Sequence, residues 1–179
     1  MNTDAPPKDT KSSPPEREPP GADNPSRRKF RSMLGQFATG VAIITTVDDG
    51  GAGLGVTCNS FTSVSLDPPL ILWSIAKSSL SGPAFTNGKA FAVNVLEASQ
   101  EDLAIRFAKT GADKFAGIPW HAGLEGVPLL EGCVAYMECR VDARYPGGDH
   151  EIILGAVERY VNLALDPLLF HSGEFRRFF

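Results

Sequence analysis

Hydrophobic and polar positions alternate along this chain in short stretches, and the alternation is clearest on either side of one break. Val56 and Cys58, then Val64 and Leu66, are apolar or small positions separated by hydroxyl and amide side chains, the period of two that marks strand. Between them Asn59, Ser60, Phe61 and Thr62 interrupt the pattern. Polar groups therefore fall where a sheet would bend and where free backbone groups could read the edge of a heterocycle. A plain polar bulge between two strands is the other reading of the same residues.

The flanking segments carry the same kind of signal. Val41 to Val47 is a β-branched run that ends in Asp48-Asp49-Gly50-Gly51, a turn composition that predicts a hairpin into Leu54 to Cys58. After Pro68-Pro69, the continuous apolar run Leu70 to Ile75 reads as a central strand covered on both faces. Phe91 to Leu96 reads as strand with Asn94 embedded in it, where a buried amide needs partners. Gly132 to Tyr145 and His150 to Tyr160 form a second hairpin through Pro146-Gly147-Gly148-Asp149, and Pro167 to Phe179 is a last strand or hairpin around Ser172-Gly173.

Three helices are predicted. Ser26 caps the first, whose apolar positions Phe30, Met33, Leu34 and Phe37 would pack on a sheet; a short one ends at Phe85 to Gly88. The clearest spans residues 99 to 109, with Ser99 as N-cap, acids early and Arg106 and Lys109 late. Asp113 to Pro128 is loop-rich, anchored by Phe115 and Trp120. Many strands, few helices and no alternating βαβ pattern predict a closed or sandwiched antiparallel sheet.

Composition narrows the picture. Residues 1 to 26 hold seven of the fourteen prolines and almost nothing apolar, so they read as a disordered tail before a domain from 27 to 179. Arg27, Arg28, Lys29 and Arg31 follow as a solvated charge run, with phosphate contact the alternative. The net charge of −4 gives no pull toward nucleic acid or anionic membrane. Cys58, Cys133 and Cys139 form no C-x-x-C, which points to a reducing compartment; with no apolar leader or spanning run, a cytoplasmic location is expected. Gly51 to Gly55 lacks G-x-G-x-x-G spacing, and His121, His150 and His171 show no ligand spacing, so neither a Rossmann loop nor a metal site is expected.

The ordered set F-A-T-G-V-A-I-I-T-T (37 to 46), G-V-T-C-N-S-F-T-S-V-S-L-D-P-P-L-I-L (55 to 72), F-A-V-N-V-L (91 to 96), R-F-A (106 to 108), G-D-H (148 to 150) and P-L-L-F-H-S-G-E-F (167 to 175) closely resembles the short-chain flavin reductases. These are the reductase components of two-component flavin-dependent monooxygenases, and the resemblance covers about residues 30 to 178. It implies a mainly β FMN-binding split barrel, an antiparallel β-barrel with a few flanking helices, in a homodimer that reduces FMN or FAD with NADH or NADPH for a partner monooxygenase.

The resemblance also implies site residues. Thr39, Gly40, Val41, Thr57, Cys58, Asn59, Ser60 and Ser63 match the wall around the isoalloxazine and ribityl chain, and Lys77, Ser78 and Ser79 the phosphate side. Phe91, Asn94, Arg106 and Phe107 match further flavin neighbours, and His150 the nicotinamide nucleotide; Cys58 stands where any small residue would serve. No acid–base group is required, because the protein's part in hydride transfer is to stack two rings within reach. Two alternatives remain on sequence: an oxidoreductase of the same barrel acting directly on an organic substrate, as pyridoxamine-phosphate oxidases do, and a non-catalytic flavin- or heme-binding protein.

Overall fold

The computed structural model describes residues 24–111 and 113–178. The helix α1 (Asn24–Leu34) opens the described chain, followed by β1 (Thr39–Gly40), β2 (Ala42–Val47), β3 (Gly53–Cys58), β4 (Thr62–Leu66) and β5 (Pro69–Ala76). Then come α2 (Gly82–Asn87), β6 (Ala90–Val95), α3 (Glu101–Ala108), β7 (Trp120–Ala122), β8 (Pro128–Leu130), β9 (Ala135–Gly147), β10 (His150–Asn162), β11 (Leu169–His171) and β12 (Glu174–Arg176).

Every pairing is antiparallel, and the main sheet runs β3-β2-β6-β9-β10-β5-β4. Its two outer strands, β3 and β4, are consecutive in the chain and separated only by Asn59–Phe61. Four Cα steps span about 15 Å at most, so the sheet has to curl until its edges approach. The Ser60 hydroxyl bridges that approach: it accepts from the Ser74 amide (3.0 Å) and donates to the Ser74 carbonyl (3.2 Å) on β5. The expected hairpins are present as β2–β3, β9–β10 and β11–β12. In the first, Asp48 Oδ1 accepts from the amides of Gly50 and Ala52.

Two cores lie on opposite faces of β2 and β6. Ile43 packs with Phe107, Leu130 and Leu168, while its neighbour Ile44 packs with Trp73, Phe85, Phe91 and Ile153. The expectation of a strand covered on both faces therefore belongs to β2 and β6. β5 lies next to the edge strand β4; its Ile71, Trp73 and Ile75 are buried, whereas Leu70, Leu72 and Ser74 are half-buried. A continuous apolar run marks a strand without saying where in the sheet it sits.

Asn94 has three partners in the core. Its amide donates to the Ile43 carbonyl (3.0 Å) and Thr45 Oγ1 (3.0 Å), and its Oδ1 accepts from the Leu130 amide (2.8 Å). Gly155 on β10 makes room for Phe91, since a Cβ there would stand 2.4 Å from the ring.

Several expectations are corrected. α1 begins before Ser26, so residues 24 to 26 are helical and Ser26 is not its cap; residues 1 to 23 lie outside the described residues. Its apolar side is exposed, with Phe37 beyond the helix 79% exposed. α3 starts at Glu101 with Gln100 before it, and Ser99 instead donates its hydroxyl to the Glu97 carboxylate. Trp120 is a surface strand residue at 41% exposure, while Phe115 packs on the core. Of the C-terminal aromatics, Phe170 and Phe175 pack edge-to-face, Phe178 is exposed and Phe179 lies outside the described residues.

Candidate functional site

A cleft of about 680 Å³ opens where β3, the end of β5 and the end of α3 meet. α3 lies tightly on β3 because Gly55 has no side chain; a Cβ there would stand 2.5 Å from the Phe107 ring. Thr57 Oγ1 adds a hydrogen bond to the Ala104 carbonyl (2.7 Å). The first wall runs from Leu54 to Cys58 and ends in the break, where the Asn59 side chain is exposed and has no hydrogen-bond partner among the described residues. Burial pushes the Cys58 thiol up to about 11, so it stays protonated at neutral pH and is a packing group rather than a nucleophile.

The second wall is the end of β5 and the turn after it, Ser74 to Ala76 and Ser78 to Ser81. The turn is shaped by backbone bonds from the Ser79 amide to the Ala76 carbonyl and from the Gly82 amide to the Ser79 carbonyl. The hydroxyls of Ser78, Ser79 and Ser81 have no protein partner among the described residues, which leaves them for a ligand.

His150 stands at the mouth, brought there by its register opposite Ala76. Its Nδ1 lies 2.7 Å from Asp149 Oδ1. The hydrogen bond from His150 holds the Asp149 carboxyl below its ordinary value, and an ionised carboxylate can only accept. A proton on Nδ1 serves that contact, and in that neutral tautomer Nε2 is an acceptor.

The third wall is the end of α3 and the segment after it: Phe107 at the floor, then Lys109, Thr110, Lys114 and Phe115. Phe107 and Phe115 meet edge-to-face with centroids 5.0 Å apart. Lys114 Nζ donates to the carbonyls of Gly55 (3.0 Å) and Phe107 (2.8 Å), and desolvation lowers its proton affinity. Among the described residues no group of three or more His, Cys, Asp or Glu side chains could hold a metal ion.

Of the expected site residues, Thr57, Cys58, Asn59, Ser60, Ser78, Ser79, Phe107 and His150 come together on this cleft. The others lie elsewhere in the chain. Thr39 and Gly40 pair with Phe170 and Leu169, and Val41 is a core residue whose amide and carbonyl bond Leu168 and Leu96. Ser63 is on the exposed edge strand, and Phe91 and Asn94 are buried in the cores. Lys77 Nζ donates to the Gly148 carbonyl (2.7 Å), and the Arg106 guanidinium donates to the carbonyls of Asp113 and Ala116. Sequence reasoning missed Ser81 in the turn after β5, and it missed Lys109, Lys114 and Phe115 because nothing in the pattern says that the segment after α3 folds back beside β3.

Known proteins match most of the chain, and they share one family. The chain belongs to the flavin reductase-like family, whose description, flavin reductase like domain, matches residues 34–178. The FMN reductase (NADH) SmoA of Agrobacterium fabrum is 47% identical over 159 residues, 89% of either chain. The flavin-dependent monooxygenase reductase subunit HsaB of Mycobacterium tuberculosis is 44% identical over 83% of this chain and 80% of its own. The solved structure of the NADH:FAD oxidoreductase SgcE6 of Streptomyces globisporus, in complex with NAD and FAD fragments, has a TM-score of 0.82 at 42% identity, covering 88% of this chain and 95% of that one.

Proposed function

We propose that this chain transfers hydride from NADH or NADPH to FMN or FAD bound in the cleft and supplies the reduced flavin to a partner monooxygenase. The observation that carries the reading is the convergence of polar groups without a partner among the described residues, the Asn59 amide and the Ser78 and Ser79 hydroxyls, over an aromatic floor with His150 at the mouth. An amide edge suits a heterocycle, and hydroxyls beside lysines suit a phosphate, so these residues fit a flavin nucleotide. The flavin, when bound, supplies the hydride acceptor.

The chain's own residues position and exclude. Asn59 orients the ring edge, and Ser60, committed to β5, keeps the break open at a set width. Phe107 and Phe115 keep water from one side of the cleft, and His150 Nε2 orients the nicotinamide nucleotide.

The curled sheet is read as the split barrel of the family, in a cytoplasmic homodimer. The exposed apolar side of α1 supports the dimer: Phe30, Met33, Leu34 and Phe37 form a surface that a second copy would cover. Light scattering at the mass of one chain, at micromolar protein, would contradict it. For the activity, purified protein is given NADH or NADPH with FMN or FAD while nicotinamide absorbance is followed. Oxidation of at least one nicotinamide in the presence of flavin is expected; none in all four combinations, with folded protein, would refute the reading.

A further inference from the structure

The two cations that the family resemblance offers to the flavin both donate to backbone carbonyls. Lys77 holds the hairpin turn at Gly148, and Arg106 holds the segment after α3 through the carbonyls of Asp113 and Ala116. Neither lines the cleft, whereas Lys109 and Lys114 do.

Lys114 is the more constrained of the pair. Its ammonium has three N–H groups, and two are used on the carbonyls of Gly55 and Phe107. Carbonyls accept hydrogen bonds without neutralising charge, and no carboxylate is paired with this ammonium among the described residues. The nearest acid in sequence, Asp113, uses Oδ1 on the Phe115 amide. The group is partly buried, so its charge is poorly solvated as well as unpaired, and desolvation lowers its proton affinity. An anionic oxygen in the cleft would meet both needs. The side chain is already fixed at two points, so little freedom is lost when it receives one.

Resting on the reading of this cleft as the flavin site, we propose that Lys114 binds the flavin nucleotide by directing its remaining N–H and its charge at a phosphate oxygen of FMN or FAD. Lys109 adds charge beside it, and Arg106 is a positioning residue that sets the loop carrying Lys114. Every FMN and FAD carries such an oxygen, and riboflavin carries none.

The test titrates riboflavin, FMN and FAD into wild type, Lys114→Met and Lys114→Arg, following flavin fluorescence, with the melting temperature as a fold check. Lys114→Met is expected to weaken FMN and FAD by about tenfold or more, as for one lost charged hydrogen bond, and to leave riboflavin within about twofold. Lys114→Arg is expected to restore part of the loss, because it returns the charge. Should the methionine variant not fold, wild type decides: FMN affinity has to fall with added salt while riboflavin affinity does not.

Equal losses for all three flavins would overturn the assignment and leave Lys114 as a spacer between β3 and α3. So would unchanged FMN and FAD affinity in folded Lys114→Met, or a change confined to the nicotinamide KM. A wild type that binds no flavin would instead refute the reading of the cleft itself.

Discussion

Replacing Asn94 by alanine is expected to lower stability and leave flavin affinity alone. In the structure this side chain bonds β2 to β6 and holds the end of β8 through the Leu130 amide. Alanine leaves the buried Leu130 amide with no acceptor, which costs about 1–3 kcal/mol, and removes two donated bonds worth about 0.5–1.5 kcal/mol each. Thr45 Oγ1 still donates to the Pro128 carbonyl, so that hydroxyl is not orphaned. A loss of about 3 kcal/mol corresponds, in a domain of this size, to a melting temperature lower by about 6–12 °C. Thermal unfolding followed by circular dichroism, with FMN titration well below the transition, measures both quantities. A melting temperature within about 2 °C of wild type would refute the hydrogen-bond argument. Weakened FMN binding at intact stability would put Asn94 on the flavin, the place that family resemblance implies for it.

His150→Ala is expected to raise the nicotinamide KM by about tenfold for one lost polar contact while flavin affinity holds; steady-state kinetics beside a flavin titration would reverse the assignment if the pattern inverts. Asn59→Ala should weaken flavin by about tenfold, and an unchanged titration in a folded variant would remove Asn59 from the site. Gly155→Ala pushes a methyl against the buried Phe91 ring and should cost about 1–3 kcal/mol in urea unfolding; a neutral result would mean that the β10 backbone shifts freely. Burial pushes Cys133 and Cys139 up to about 12 from an ordinary 9.0, so both thiols hold protons more tightly folded than unfolded. That contribution is complete below the unfolded value and is lost as pH climbs toward about 12. The urea midpoint should therefore drop above about pH 9, and a midpoint that is flat well into the alkaline range would contradict it.

Local order was legible in the sequence wherever one segment decides its own conformation. The alternation around Val56 and Val64, the Asp48 to Gly51 turn and the Ser172-Gly173 turn each specify a strand or hairpin through neighbours a few residues away, and β2–β3 and β11–β12 are where those signals put them. The polar break at Asn59 and Ser60 was visible for the same reason, since a lapse in alternation is itself local. Tertiary structure decided what depends on register between distant strands. It seats Phe91 over Gly155, and it places His150 opposite Ala76 at the cleft mouth. It also spends Lys77 and Arg106 on backbone carbonyls and turns Lys109 and Lys114 into the cleft. Charge on a lysine is a property of the residue, but the acceptor it finds is set by which backbone the fold brings within about 3 Å, and the contacts of Lys77 with Gly148 and of Lys114 with Gly55 join residues 71 and 59 positions apart.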